Sequence, residues 1–80
     1  MDFIATFYSH FGAMRFKKEV EKNGASAVLK PVPRTLSSSC GTCCAFTAPE
    51  LPTPSHPDEV EQIVEITEDG SYKTVFSTLE

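Results

Sequence analysis

Tryptophan is absent from these 80 residues and histidine occurs only twice. No apolar run approaches the roughly 18–20 residues that a membrane helix needs, so no membrane association is expected. The shortage of histidine removes the commonest metal ligand and general base. A zinc site needs about four ligands, and three cysteines with the distant His10 and His56 supply them poorly. No metal and no other cofactor is therefore expected. No Gly-rich phosphate loop, Ser-His-Asp set or pair of acid–base carboxylates stands out, which argues against a free-standing hydrolase. A run of basic residues is also missing and the net charge is −4, so nucleic acid is not the expected partner. Three cysteines are too few, and odd in number, for a disulfide framework in a monomer. The chain opens Met1-Asp2 without the basic start of a signal peptide. The expectation is a cytoplasmic protein whose thiols stay reduced.

What is present is the composition of an ordinary globular domain, 40% hydrophobic and 22% charged. Eighty residues make a single domain, 1–80, because a chain this short cannot build two cores. Such a domain buries only about 60–65% of the surface its unfolded chain exposes, so stability is modest and a homodimer is compatible with the size. The charge is uneven. Residues 1–46 carry six basic and three acidic residues, a balance of +3, and residues 47–80 carry one basic and eight acidic, a balance of −7.

Residues 3–8 are aromatic and branched and read as a strand. Ser9 caps a helix over 10–23, on which Ala13, Phe16 and Val20 form one stripe while Arg15, Lys18 and Lys22 stay outward. Phe11 and Met14 fall off that stripe. Asn23-Gly24 closes the helix. Residues 27–32 form a second strand, stopped by Pro31 and Pro33, and 42–47 a third. Between them lies a Ser/Cys loop, 35–44. The stretch 47–57 holds Pro49, Pro52, Pro54 and Pro57 and reads as an extended surface loop. Pro57 then suits the first turn of a second helix, with Asp58, Glu59 and Glu61 at the positive end of its dipole and Val60, Ile63 and Val64 as its stripe. A rival reading makes 62–67 a strand that turns at Glu68-Asp69-Gly70-Ser71 into a hairpin with the final strand, 72–79. The acidic, proline-led start favours the helix. The order strand, helix, strand, strand, helix, strand predicts an α+β fold. It is the ferredoxin-like split βαββαβ arrangement, a four-stranded antiparallel sheet with two helices on one face.

The chemistry concentrates in Ser37-Ser38-Ser39-Cys40-Gly41-Thr42-Cys43-Cys44, which holds all three cysteines within five residues. The thiolate is the reactive form of cysteine, favoured beside cations or orienting amides. Ser38, Ser39 and Gly41 offer small hydrogen-bonding neighbours, and Arg34 lies six residues back. Cys40 is thus the candidate nucleophile or covalent carrier atom, with a bystander thiol in a turn as the plainer reading. Cys40-Gly41-Thr42-Cys43 has redox C-x-x-C spacing but leads into a strand rather than a helix. Cys43 and Cys44 face opposite ways on a strand, so one is expected in the core while the other points outward as a resolving thiol. His10, at the helix start, reads as a capping or surface residue.

Ala5-Thr6-Phe7-Tyr8-Ser9-His10, Ala13-Met14, Glu19, Pro31-Val32-Pro33-Arg34 and Ser37-Ser38-Ser39-Cys40-Gly41 together resemble the family named Putative Se/S carrier protein-like. The resemblance is sharpest over residues 4–46. It implies a protein, not an enzyme turning over a free substrate, that holds sulfur or selenium as a persulfide or perselenide on Cys40. Arg34, Ser38, Ser39 and Gly41 would shape the loop. The implied partners are a persulfide or selenium donor, such as a cysteine desulfurase, and an acceptor enzyme. Two features depart from the family pattern: Cys43 and Cys44 follow the glycine, and the Pro-rich stretch is long. They keep open a thiol–disulfide protein pairing Cys40 with Cys43 or Cys44, and an interaction module that binds through the Pro-rich loop.

Overall fold

The computed structural model describes residues 1–79. The chain forms β1 (Asp2–Phe7), α1 (His10–Lys22), β2 (Ser26–Pro31), β3 (Thr42–Thr47), a single 3-10 turn (Pro57–Glu59), β4 (Val60–Ile66) and β5 (Tyr72–Ser77). The strands make one antiparallel sheet in the order β2-β3-β1-β4-β5.

β1 lies at the centre because Phe3-Ile4-Ala5-Thr6-Phe7 suits burial on both faces, and all five residues are buried. Phe3, Ala5 and Phe7 face α1 and pack with Ala13, Phe16, Val20, Cys44, Phe46, Val60 and Ile63. Four phenylalanine rings tie helix to sheet, with centroids 5.0 Å apart for Phe3–Phe46, 5.2 Å for Phe7–Phe16 and 5.3 Å for Phe16–Phe46. Burying each such ring stabilises the fold by roughly 1.5–3 kcal/mol. Ile4, Cys43 and Val64 point to the opposite face, where Val32 and Leu36 cover them.

The helix forms where expected. Ser9 is extended at φ −145°, and its Oγ accepts from Gly12 N at 3.1 Å. At the other end Gly24 takes φ +93°, which turns the chain so that Ala25 N donates to Val20 O at 2.9 Å.

The second helix is not there. Residues 57–67 hold one 3-10 turn and then a strand, so the architecture is α+β with one helix and five strands rather than two helices and four strands. Val60, Ile63 and Val64 fit a helical stripe, but they fit a strand covered on both faces equally well. Ile63 faces α1 and Val64 the other side. The acidic start serves the 3-10 turn instead, where Glu59 pairs with Arg15 of α1. The hairpin turn is the Asp69-Gly70 signal made good. Gly70 adopts φ +84°, and the Asp69 carboxylate accepts from Ser71 N and from the Thr67 and Ser71 hydroxyls.

Both β3 and β4 run antiparallel to β1, so they are parallel to each other and their connection must cross over. A split βαβ arrangement would use a helix there, which Pro49, Pro52 and Pro54 forbid. Residues 48–56 cross irregularly instead. Pro54 is buried, and Ser55 N donates to Glu19 Oε1 of α1 at 2.9 Å. Among the described residues, no helix is long and apolar enough to cross a membrane.

Candidate functional site

The loop joining β2 to β3 is drawn in at both ends. Leu36 N donates to Pro33 O at 3.0 Å, and Val32 N to Gly41 O at 3.1 Å. Its first half lays Val32 and Leu36 over the helix-free face of the sheet. Its second half returns to the helix side, where Cys40 packs against the larger core cluster. The Ser-Ser-Ser-Cys-Gly segment therefore sits at the end of the sheet where β1 finishes.

Ser38 to Gly41 each make a defined contact or turn. Ser38 Oγ donates to Phe7 O, the last carbonyl of β1, at 3.1 Å, and lies 3.9 Å from Cys40 Sγ. Ser39 donates twice to Glu61 Oε2, from its amide at 3.1 Å and from its hydroxyl at 2.7 Å. Cys40 is half-buried and its thiol donates to Thr42 O at 3.3 Å. Gly41 takes φ +73°, a left-handed conformation that any side chain would strain, and so lets the chain turn into β3. His10 Nδ1 is 3.3 Å from Thr42 Oγ1, which brings the start of α1 beside the loop.

The structure thus unites Ser38, Ser39, Cys40 and Gly41. Arg34 is exposed, and among the described residues it has no hydrogen bond or ion pair. The expectation of one inward and one outward cysteine on β3 is corrected. Cys43 and Cys44 are each 0% exposed, because both faces of the sheet are covered at that point. Burial pushes the Cys43 thiol up in pKa, partly offset by Lys30 alongside. It pushes Cys44 up to about 12, with Cys43 adding to the effect. Cys43 donates weakly to Pro31 O at 3.7 Å. Neither offers solvent a thiol.

Sequence reasoning missed Glu61. The residue is 4% exposed. The register between β1 and β4 shifts so that Thr6 faces Gln62 while Phe7 faces Val60, leaving Glu61 as the extra residue of a bulge. Burial works against its charge, but the hydrogen bonds donated by the Ser39 hydroxyl and the Ser39 amide outweigh it. The carboxyl is held below its ordinary value. The missed signal lay in the strand reading, which sets Glu61 two residues from the inward Ile63 and so puts a carboxylate on the core side.

A groove of about 330 Å³ lies elsewhere, between the end of α1 and the crossover at Val20, Asn23, Leu51 and Pro52. It contains no residue of the Ser/Cys loop. Among the described residues no group of three or more His, Cys, Asp or Glu is placed to hold a metal.

No curated protein and no solved structure matches the chain. A family model described as Putative Se/S carrier protein-like matches residues 2–71, a span that includes the whole thiol loop, the bulge carrying Glu61 and the crossover. With most of its length so matched, the chain belongs to that family.

Proposed function

We propose that this protein carries sulfur or selenium on Cys40, taking the atom from a donor protein and passing it to an acceptor enzyme. The observation that carries the reading is the contrast among the three thiols. Cys43 and Cys44 are buried, and Cys40 alone is partly exposed, on a loop fixed to β1 and to β4. Membership of the Se/S carrier protein-like family supports the carrier reading.

The loading step balances without an added oxidant. The Cys40 thiolate attacks the outer sulfur of a donor cysteine persulfide, forming Cys40–S–SH. The S–S bond of the donor breaks, its cysteine leaves as a thiolate, and the proton given up by Cys40 is available to it. Delivery to the acceptor repeats the exchange in reverse. The alternative thiol–disulfide reading needs a second accessible thiol, and the burial of Cys43 and Cys44 weighs against it. Cytoplasmic location fits a thiol that must stay reduced between transfers.

Intact mass after incubation with a cysteine desulfurase and cysteine tests the proposal. The wild type should gain one sulfur that a reducing agent removes, and Cys40→Ser should gain none. No gain in either protein, or equal gain in both, would sink it.

A further inference from the structure

We infer that Glu61 is the positioning residue of the thiol loop: its buried carboxylate clamps Ser39 and so fixes the direction in which the neighbouring Cys40 presents its sulfur. The structural part stands on geometry alone, and its consequence for transfer rests on the carrier reading.

Three observations converge. The first is the bulge. The extra residue in β4, Glu61, has no partner on β1, and the bulge turns its side chain beneath the loop. Bulges recur where a side chain must be re-aimed near a site. The second is the double contact. Both the amide and the hydroxyl of Ser39 converge on one oxygen, Oε2, at 3.1 and 2.7 Å. Hydrogen bonds to a charged acceptor are roughly twice as strong as neutral ones. Ser38 and Gly41 have ties of their own, but without Glu61 nothing would hold Ser39, and the Cys40 thiol beside it makes only a weak bond to Thr42 O. The third is the remainder of the carboxylate. Glu61 Oε1 and Thr6 Oγ1 are buried without a completed hydrogen bond, and among the described residues they are the buried side-chain polar atoms in that state. Such groups cost stability. Leucine or valine would fill the position without that cost, so a carboxylate there serves the loop rather than the core.

The arrangement also explains how an exposed segment keeps one shape. Ser38 is tied to the end of β1, Ser39 to β4, and Gly41 to the start of the loop through Val32. Cys40 lies between these ties. Transfer between two protein cysteines needs the attacking sulfur in line with the donor S–S bond, and misplacement of such groups slows reaction by large factors. A small soluble disulfide can approach from many directions and makes no such demand.

The test compares the wild type with Glu61→Gln, Glu61→Leu and Ser39→Ala by three measurements. These are the Ser39 amide proton shift, the rate of Cys40 with a small aromatic disulfide, and the rate of sulfur loading from a desulfurase. Glu61→Leu should move the Ser39 amide upfield and slow loading by about 10-fold, while the small disulfide reacts no more slowly than with the wild type. Glu61→Gln, which keeps an acceptor oxygen, should fall between. If Glu61→Leu does not fold, Ser39→Ala removes the hydroxyl half of the clamp from the exposed side and should slow loading in the same direction. An unmoved Ser39 amide, loading at the wild-type rate, or equal slowing of both reactions would overturn the inference. Should the wild type itself fail to load, the carrier reading fails. The amide shift and the small-disulfide rate then still decide whether Glu61 holds the loop.

Discussion

Cys40, Cys43 and Cys44 share one side-chain chemistry and differ in what covers them. Alternation along β3 sends Cys43 under Leu36 and Val32 and Cys44 under α1, so each is a small hydrophobe in a packed layer. Cys40 precedes the strand, and it packs against the helix-side cluster while staying partly exposed. The Glu61 carboxylate is held beneath the loop by Ser39, and its titration should be visible in stability. Its folded pKa lies below its ordinary 4.5, so the unfolded chain binds the proton more tightly. The stabilisation is therefore fully present above pH 4.5 and is lost as the pH falls below that value through the folded pKa. Urea midpoints measured on acidification should drop more steeply for the wild type than for Glu61→Gln. Parallel curves would show that the carboxylate gains nothing from its contacts with the loop.

Among the elements, α1 has the plainest dependence on its sequence. Phe16 joins Phe7 and Phe46 through edge-to-face contacts at the helix–sheet interface, so Phe16→Ala should cost about 3–5 kcal/mol. Removing the cap with Ser9→Ala should cost about 1 kcal/mol. Thermal or urea unfolding checks both, and a Phe16→Ala cost below that of the cap would mean the helix does not organise the core. β1, α1, β2 and β3 were all legible, because their caps, glycines and prolines act locally. The thiol loop was legible for the same reason, as its small residues stand together in sequence. The segment after Pro57 was not. Val60, Ile63 and Val64 satisfy a period of 3.6 and also a doubly covered strand, and only pairing with β1 and β5 separates the two. Taking that segment as helix hid Glu61, since a carboxylate suits a helix first turn and gives no sign of being buried. Nor does any local pattern show that Ser39, twenty-two residues earlier, will be its partner.

At the level of the whole molecule, the placement of one sulfur depends on parts distant in sequence. The Pro-rich crossover carries the chain over α1 so that β4 can lie beside β1, and that neighbour supplies the bulge under the loop. The loop in turn covers the face of the sheet that α1 leaves open, so the thiol site and the smaller of the two core clusters share residues 32–41. A fold of this size has little stability to spare, and the clamp at Ser39 spends some of it on geometry. The central claim is that Cys40 alone bears the carried atom. It is tested most directly by loading the protein with a desulfurase, trapping with an alkylating reagent, and locating the added sulfur by tandem mass spectrometry. The account predicts the extra sulfur on Cys40, with Cys43 and Cys44 unmodified until the protein is unfolded. Sulfur found on Cys43 or Cys44 of the folded protein, or on no cysteine at all, would contradict it.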